Sequence, residues 1–133
     1  MKDDKLFVTY FYSVPAENVE LLKRCLCNEH SHREFLYNQS VKEIDIDKYY
    51  YELRNSLLRK NLPIEILDGS RRWGREGEIG INEPSDIVEI VRTISAYKKR
   101  QAEGWAVEEK ISNLISFYLA ASKLGNYVFI ILD

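Results

Sequence analysis

The sequence predicts one domain, residues 1–133, in which a single sheet of about four or five strands packs with about four helices in an α/β or α+β fold. Two apolar runs at opposite ends of the chain, residues 6–12 and 127–132, are rich in β-branched and aromatic side chains. Both alternating faces of each run are apolar, which is typical of a strand covered on two sides. Because a domain of this size has room for one sheet core, we expect these two strands to be central and adjacent.

Helical spacing and turn signals predict the elements of the first half of the chain. Apolar residues three and four positions apart predict a helix over residues 16–28, and a capping-box spacing at Ser31 predicts a second short helix. One continuous helix is the alternative. A short strand is expected within residues 41–46, after which Asp47 caps a helix whose apolar stripe covers residues 50–58.

The second half alternates strand and helix signals in the same way. Residues 63–67 form a short apolar run that predicts a strand, and residues 78–81 predict a weaker one. A clear helical stripe runs from residue 87 to about residue 100, and a second stripe, out of step with the first, covers residues 107–118. Gly125 is expected to end this last helix before the terminal strand begins.

Composition narrows the class of protein without naming an activity. Hydrophobic residues make up 45% of the chain and charged residues 30%, with 6 Gly and 3 Pro, a balance that excludes disordered and collagen-like proteins. The formal net charge of -2 provides no general attraction for nucleic acid or for an anionic membrane surface. No apolar run approaches the roughly 20 residues that cross a bilayer, so no membrane association is expected.

The two cysteines and the N-terminal residues indicate the compartment. Cys25 and Cys27 are one residue apart, a spacing at which a disulfide is strained and closes almost no loop. Residues 1–5 contain two acids where a signal peptide needs net positive charge. We therefore expect free thiols and a cytoplasmic protein.

Every cysteine and histidine of the chain lies within eight residues, at Cys25, Cys27, His30 and His32. Thiolate and imidazole are preferred zinc ligands, so this cluster is a candidate metal site. On a helix, however, the two cysteines point roughly 200° apart, as do the two histidines, so a regular helix cannot converge all four. We interpret Cys25 as a small apolar residue that packs beside Leu22 and Leu26, and the histidines as solvated at a helix junction, and we predict no cofactor. A thiol-dependent enzyme using Cys27 and His30 is a further alternative.

Residues 68–78 form the segment most suggestive of function. They contain three of the six glycines together with Arg71, Arg72, Trp73 and Arg75. Tryptophan and arginine dominate binding hot spots, because the indole buries a large area and the guanidinium makes planar bidentate hydrogen bonds. The glycines and arginines also suit a phosphate, although no complete nucleotide-binding motif is present. The alternative interpretation is a hairpin-like connection in which Trp73 covers the edge of the core and the arginines pair with Glu76 and Glu78.

The chain has nine tyrosines, three of them consecutive at Tyr49, Tyr50 and Tyr51. Consecutive residues of a helix face three directions, so these rings do not form one stacking platform for nucleic acid. Tyr50 aligns with the apolar stripe and is expected in the core. Tyr49 or Tyr51 is then available to a partner, and we take Tyr49 as a candidate binding residue.

These observations predict a small, soluble, non-enzymatic binding protein, of the inhibitor, immunity or anti-defence type. It engages a protein partner through Arg71, Arg72, Trp73 and Arg75, since no catalytic set is recognisable. Recognition of a nucleotide or of RNA by the same arginines is the alternative, and a metal- or thiol-dependent enzyme is a third hypothesis. An exposed sheet edge would favour a homodimer.

Overall fold

The computed structural model describes residues 8–21, 32–73, 77, 79–95 and 105–132. Within these residues the chain forms five strands: β1 (Thr9–Val14), β2 (Lys42–Asp45), β3 (Arg71–Trp73), β4 (Ile79–Asn82) and β5 (Tyr127–Leu132). A 3-10 turn, Ala16–Asn18, follows β1 and continues into helical residues 19–21. The α-helices are α1 (His32–Gln39), α2 (Tyr50–Arg59), α3 (Glu65–Asp68), α4 (Pro84–Ser95) and α5 (Trp105–Leu124).

The five strands form a single antiparallel sheet in the order β2-β1-β5-β4-β3. Strands β1 and β5, from opposite ends of the chain, are neighbours in the middle of this sheet. Their register places Phe11 opposite Ile130 and Tyr12 opposite Phe129. The predicted fold class and the predicted pairing of the terminal strands are therefore confirmed.

The sheet is covered on both faces, as the apolar pattern of its central strands requires. Phe11, Val128 and Ile130 point into the main core, which contains the buried stripes of helices α2, α4 and α5. On the opposite face, the second core gathers the alternating residues of the strands with Val19 and Leu36. The second core consists of Tyr12, Val14, Val19, Leu36, Ile79, Ile81, Phe129 and Ile131.

Residues 63–67 are a turn and a helix, so the strand predicted there is wrong. The one-turn helix α3 buries Ile66 and Leu67 in the main core, beneath the sheet. Strand β4 pairs with β5 on one side and with β3 on the other, and β3 lies in the segment expected to be a loop. A short apolar run does not by itself distinguish a strand from a buried helical turn, because both place consecutive apolar residues away from water.

The ends of two helices test the predicted caps. Gly125 has a φ of 68° and Asn126 N–H donates to Ala121 O at 3.0 Å, so α5 ends in a Schellman motif as expected. Asp47 does not cap α2: its φ is 55°, and its own N–H donates to the Asp45 carboxylate at 2.9 Å. The N-cap position is Tyr49, which makes no side-chain capping hydrogen bond.

A buried amide ties residues 65–70 to strand β4. The Nδ2 of Asn82 donates to Glu65 O at 2.9 Å and to the Tyr118 hydroxyl at 3.1 Å. Its Oδ1 accepts from Ser70 N–H at 3.0 Å and from Ser70 Oγ at 2.7 Å. The Tyr118 hydroxyl in turn donates to Ile66 O at 2.7 Å, and burial raises the pKa of Tyr118 so that this proton is retained. This network holds the chain between α3 and β3 in place.

Two glycines permit the close approach of this segment to β4. A Cβ at Gly80 would lie 2.4 Å from the backbone oxygen of Asp68. Gly69 has a φ of 82°, and a Cβ there would lie 2.5 Å from Ile81 N. Any larger residue would force the two backbones apart, so Asp68 is held beside β4.

Candidate binding surface at the β3 edge

The segment singled out in the sequence is a β-hairpin strand at the edge of the sheet. Trp73 is half-buried, lies opposite Ile79 and contacts the Phe129 ring edge to face, with ring centroids 5.5 Å apart. The indole thus packs on the rim of the second core. This placement is the one expected from the hairpin-like interpretation of the segment.

The two described arginines of β3 point to opposite faces of the sheet and are both exposed. On the second-core side, the Nε of Arg71 forms an ion pair with Glu83 Oε2 at 3.2 Å. Arg72 lies opposite Gly80, on the main-core side. In the described part of the chain β3 pairs with β4 alone, so no described strand covers its outer backbone edge.

A tyrosine and a carboxylate meet beside this edge. The hydroxyl of Tyr50, the first residue of α2, donates a short hydrogen bond to Asp68 Oδ1. Partial burial, followed by the hydrogen bond and negative charge of Asp68, raises the pKa of Tyr50 to about 12. The positive charges of Arg54 and Arg72 act in the opposite direction and lower it. Tyr50 is therefore a neutral donor at physiological pH.

Both arginines are brought to this pair by the backbone. Arg54 is half-buried and follows Tyr50 by four residues, so the two share one face of α2. Arg72 is opposite Gly80, whose backbone touches Asp68 O. Neither guanidinium forms an ion pair with any carboxylate that the structure describes. We call Tyr50, Arg54, Asp68 and Arg72 the arginine–tyrosine cluster.

The neighbouring tyrosines divide between core and surface. Tyr49 is half-buried and packs against the main core, as does Tyr50. Tyr51 is 59% exposed and contacts the Tyr50 ring edge to face at a centroid distance of 5.1 Å. The exposed member of the triplet beside the cluster is therefore Tyr51, and Tyr49 offers a partner a smaller share of its ring.

The sequence indicated Arg72 as a binding residue but did not indicate Tyr50, Arg54 or Asp68. The spacing of Tyr50 and Arg54 is a local signal for a shared helix face. Asp68 precedes a glycine in a turn and carried no comparable signal. Its contact with Tyr50, across 18 positions of sequence, depends on the packing of α2 against the segment that follows α3.

Several candidate residues lie outside the described part of the chain. Cys25, Cys27, His30 and Arg75 are among them, and His32 is described only as the backbone start of α1. Among the described residues, no group of three His, Cys, Asp or Glu side chains is arranged to hold a metal ion. The predicted helix over residues 16–28 is described only up to residue 21.

None of the helices that the structure describes has both the length and the apolar character needed to cross a membrane.

Comparison with known proteins supports the architecture. No protein-family model and no curated protein matches this chain. Among solved structures, the chain is similar to the crystal structure of YfbM, a protein of unknown function from Escherichia coli, with a TM-score of 0.71. The two sequences are 13% identical, and the match covers 95% of this chain and 99% of that chain. At this level of identity the similarity shows a shared fold.

Proposed function

We propose that this protein is a non-catalytic binding protein, of the inhibitor, immunity or anti-defence type, that engages a protein partner through the β3 edge. The observation that carries the proposal is the exposure of Arg71 and Arg72 on an edge strand whose outer side no described strand covers. An uncovered edge offers backbone donors and acceptors to an extended segment of a partner. Arg75, which lies outside the described residues, and Tyr49 stay predicted partner-binding residues.

The charge of this edge favours an acidic partner. Guanidinium groups bind carboxylates through paired hydrogen bonds, and complementary charge accelerates association and selects the partner. Pairing of this edge with the same edge of a second copy would bring Arg71 and Arg72 close to their own copies. Like charges oppose such a contact, so a different, acidic protein is the better occupant than a homodimer.

Recognition of a phosphate-bearing ligand is less well supported by the same residues. Arg71 is already engaged with Glu83 at 3.2 Å, and Asp68, a further acidic residue, has its backbone against Gly80, the residue opposite Arg72. Both features weaken the attraction for a phosphate dianion. Nucleotide or RNA binding remains a distinct outcome of the test, recognisable by its steep weakening with salt.

Affinity purification of the tagged protein from its native host tests the proposal. We expect a stoichiometric protein partner that is retained by the native chain and lost with the variant Arg71→Glu/Arg72→Glu. The matched control is Arg92→Glu, since Arg92 is an exposed arginine on α4 whose partner is Glu89 at 2.7 Å. Because all three positions are exposed, each change should alter the free energy of unfolding by only about 0.5 kcal/mol. Retention of the partner by the double variant would remove the β3 edge from the proposal.

A further inference from the structure

We propose that the arginine–tyrosine cluster is a carboxylate-binding site, in which Arg54 and Arg72 together hold one acidic group of the protein partner. The inference rests on the proposed function and specifies the chemistry that the partner presents. It adds Arg54 and Tyr50, from helix α2, to a surface otherwise defined by strand β3. The acidic group is the side chain of an Asp or Glu or the carboxylate at a chain terminus.

The charges of the cluster match a single carboxylate. Two guanidinium groups and the Asp68 carboxylate leave one net positive charge, which a monoanion neutralises. Neither Arg54 nor Arg72 has a carboxylate partner among the described residues, so their donors are available to an external group. Each planar guanidinium presents donors that fit the two oxygens of a carboxylate.

Tyr50 acts as a positioning residue in this arrangement. Without another partner, the Asp68 carboxylate would be expected to form an ion pair with Arg54 or Arg72 and so compete with the acidic group of the partner. Here the Tyr50 hydroxyl donates to Asp68 Oδ1, and the backbone of Asp68 is fixed against Gly80. The carboxylate is thus satisfied by a neutral donor, which leaves the guanidinium groups for the partner.

The aromatic surface beside the cluster indicates the surroundings of the acidic group. Tyr51 is 59% exposed and its ring rests against Tyr50. An apolar residue next to the acidic one would cover this ring and exclude water from the ion pairs, which strengthens them. The preferred ligand is therefore an acidic residue with an apolar neighbour.

NMR titration of the full chain tests the site independently of any native partner. The probes are a five-residue peptide with a central glutamate between leucines, acetylated and amidated, and its glutamine counterpart with a free C-terminal carboxylate. The glutamine peptide with an amidated terminus is the neutral control, and inorganic phosphate is the competitor. The readout is the side-chain 15N–1H signal of Arg54 and of Arg72 at each probe concentration.

We expect at least one carboxylate peptide to shift both arginine signals saturably, while the neutral peptide leaves them unchanged. Comparison of the two carboxylate peptides identifies the source of the acidic group. Arg54→Gln should weaken binding about tenfold, equivalent to about 1.4 kcal/mol. The control Arg92→Gln, on the exposed face of α4, should bind as the native chain does.

A second pair of variants separates positioning by Tyr50 from a purely structural role. Tyr50→Phe frees Asp68 to compete for the arginines and should weaken peptide binding. The double variant Tyr50→Phe/Asp68→Asn removes that competitor, so binding should be restored to at least the native affinity. A structural role alone would not produce this rescue.

Three results would overturn the inference: equal shifts with the neutral peptide, no shift with either carboxylate peptide, or tighter binding of phosphate than of both carboxylate peptides. The first two leave the proposed function intact if the native partner is still lost with Arg71→Glu/Arg72→Glu. Conversely, retention of the partner by that variant removes the β3 edge from the proposed function, whereas saturable binding of a carboxylate peptide to the native chain would still support the carboxylate site with a different ligand. The two failures are therefore distinguishable.

Discussion

Replacement of Asn82 by alanine is the most direct test of how the surface is held together. The side chain of Asn82 is fully buried and makes four hydrogen bonds, two donated and two accepted, at 2.7 to 3.1 Å. Asn82→Ala removes all four and leaves a small cavity at the end of β4. Its effect should spread to residues 65–70, which this amide fastens to the sheet.

The size of the expected loss in unfolding free energy depends on the groups that lose Asn82 as a hydrogen-bond partner. The Tyr118 hydroxyl keeps its bond to Ile66 O, and the exposed Ser70 hydroxyl regains water. Ser70 N–H and Glu65 O lose a protein partner, at about 1 to 3 kcal/mol for each group that water does not reach. With the cavity included, we expect the free energy of unfolding to fall by about 3 kcal/mol. The melting temperature should fall by about 10 °C.

Urea unfolding followed by circular dichroism measures this change, with Asn38→Ala as the matched control. Asn38 is exposed on α1, and its replacement should change the free energy of unfolding by no more than about 0.5 kcal/mol. The slope of the unfolding free energy against urea concentration should stay constant if the loss is purely one of stability. A loss below about 1 kcal/mol for Asn82→Ala would refute the argument that this network holds residues 65–70 in place.

Three further predictions concern the same region. Gly80→Ala should lower the free energy of unfolding by about 3 kcal/mol, because the added Cβ would lie 2.4 Å from Asp68 O. Gly125→Ala, whose Cβ would meet no atom within 4 Å, should lower it by about 1 kcal/mol through its positive φ alone. Equal losses of the two variants in urea unfolding would contradict the argument that Gly80 permits a close backbone approach. Folding raises the pKa of Tyr50 from 10.0 to about 12, so its stabilising contribution is complete below pH 10 and is lost as the pH rises to about 12. Tyr50→Phe should reduce this alkaline loss of stability, and an unchanged pH profile of unfolding would count against the raised pKa. Trp73→Ala should lower the free energy of unfolding by about 2 kcal/mol, since the half-buried indole packs on the second core, and a neutral effect on the melting temperature would show that the ring contributes little packing.

The elements predicted correctly from sequence are those whose apolar pattern extends over several residues. Strand β5 and helices α4 and α5 repeat their apolar pattern over many positions, so the sequence alone predicts which of their faces are buried. The adjacency of β1 and β5 followed from the same reasoning, since two strands covered on both faces compete for the few central places in one sheet. Long, regular apolar patterns of this kind predict the same secondary structure whatever the tertiary arrangement.

Short elements were predicted less well because their structure comes from their neighbours. The run at residues 63–67 has strand-forming residues, yet residues 65–67 belong to helix α3, in which the Glu65 and Ile66 carbonyls accept hydrogen bonds from Asn82 and Tyr118. Strand β3 contains two arginines, which have no strong preference for strands, and exists through its pairing with β4. Local propensity is a weak influence where a few tertiary hydrogen bonds decide the conformation.

The residues of the candidate surface were likewise predicted from sequence only in part. Arg71, Arg72 and Trp73 stand out in the sequence because arginine and tryptophan occur together beside glycines. No comparable sequence pattern indicated Arg54 or the contact between Tyr50 and Asp68, which are 18 residues apart along the chain. Their contact required α2 and the segment after α3 to pack against the same sheet.

The sequence by itself determined the sheet with its two central terminal strands, the long helices and the concentration of arginine in one segment. Each is recorded in the order of neighbouring residues, because hydrophobic periodicity and composition are local properties. Only the tertiary structure decided that the backbone of Asp68 lies against Gly80, the residue opposite Arg72, that Tyr50 donates to the Asp68 carboxylate and that Asn82 holds the intervening chain. Hydrogen bonds and charges act over a few ångströms of space regardless of separation along the chain, so such contacts arise only when the fold brings the groups together.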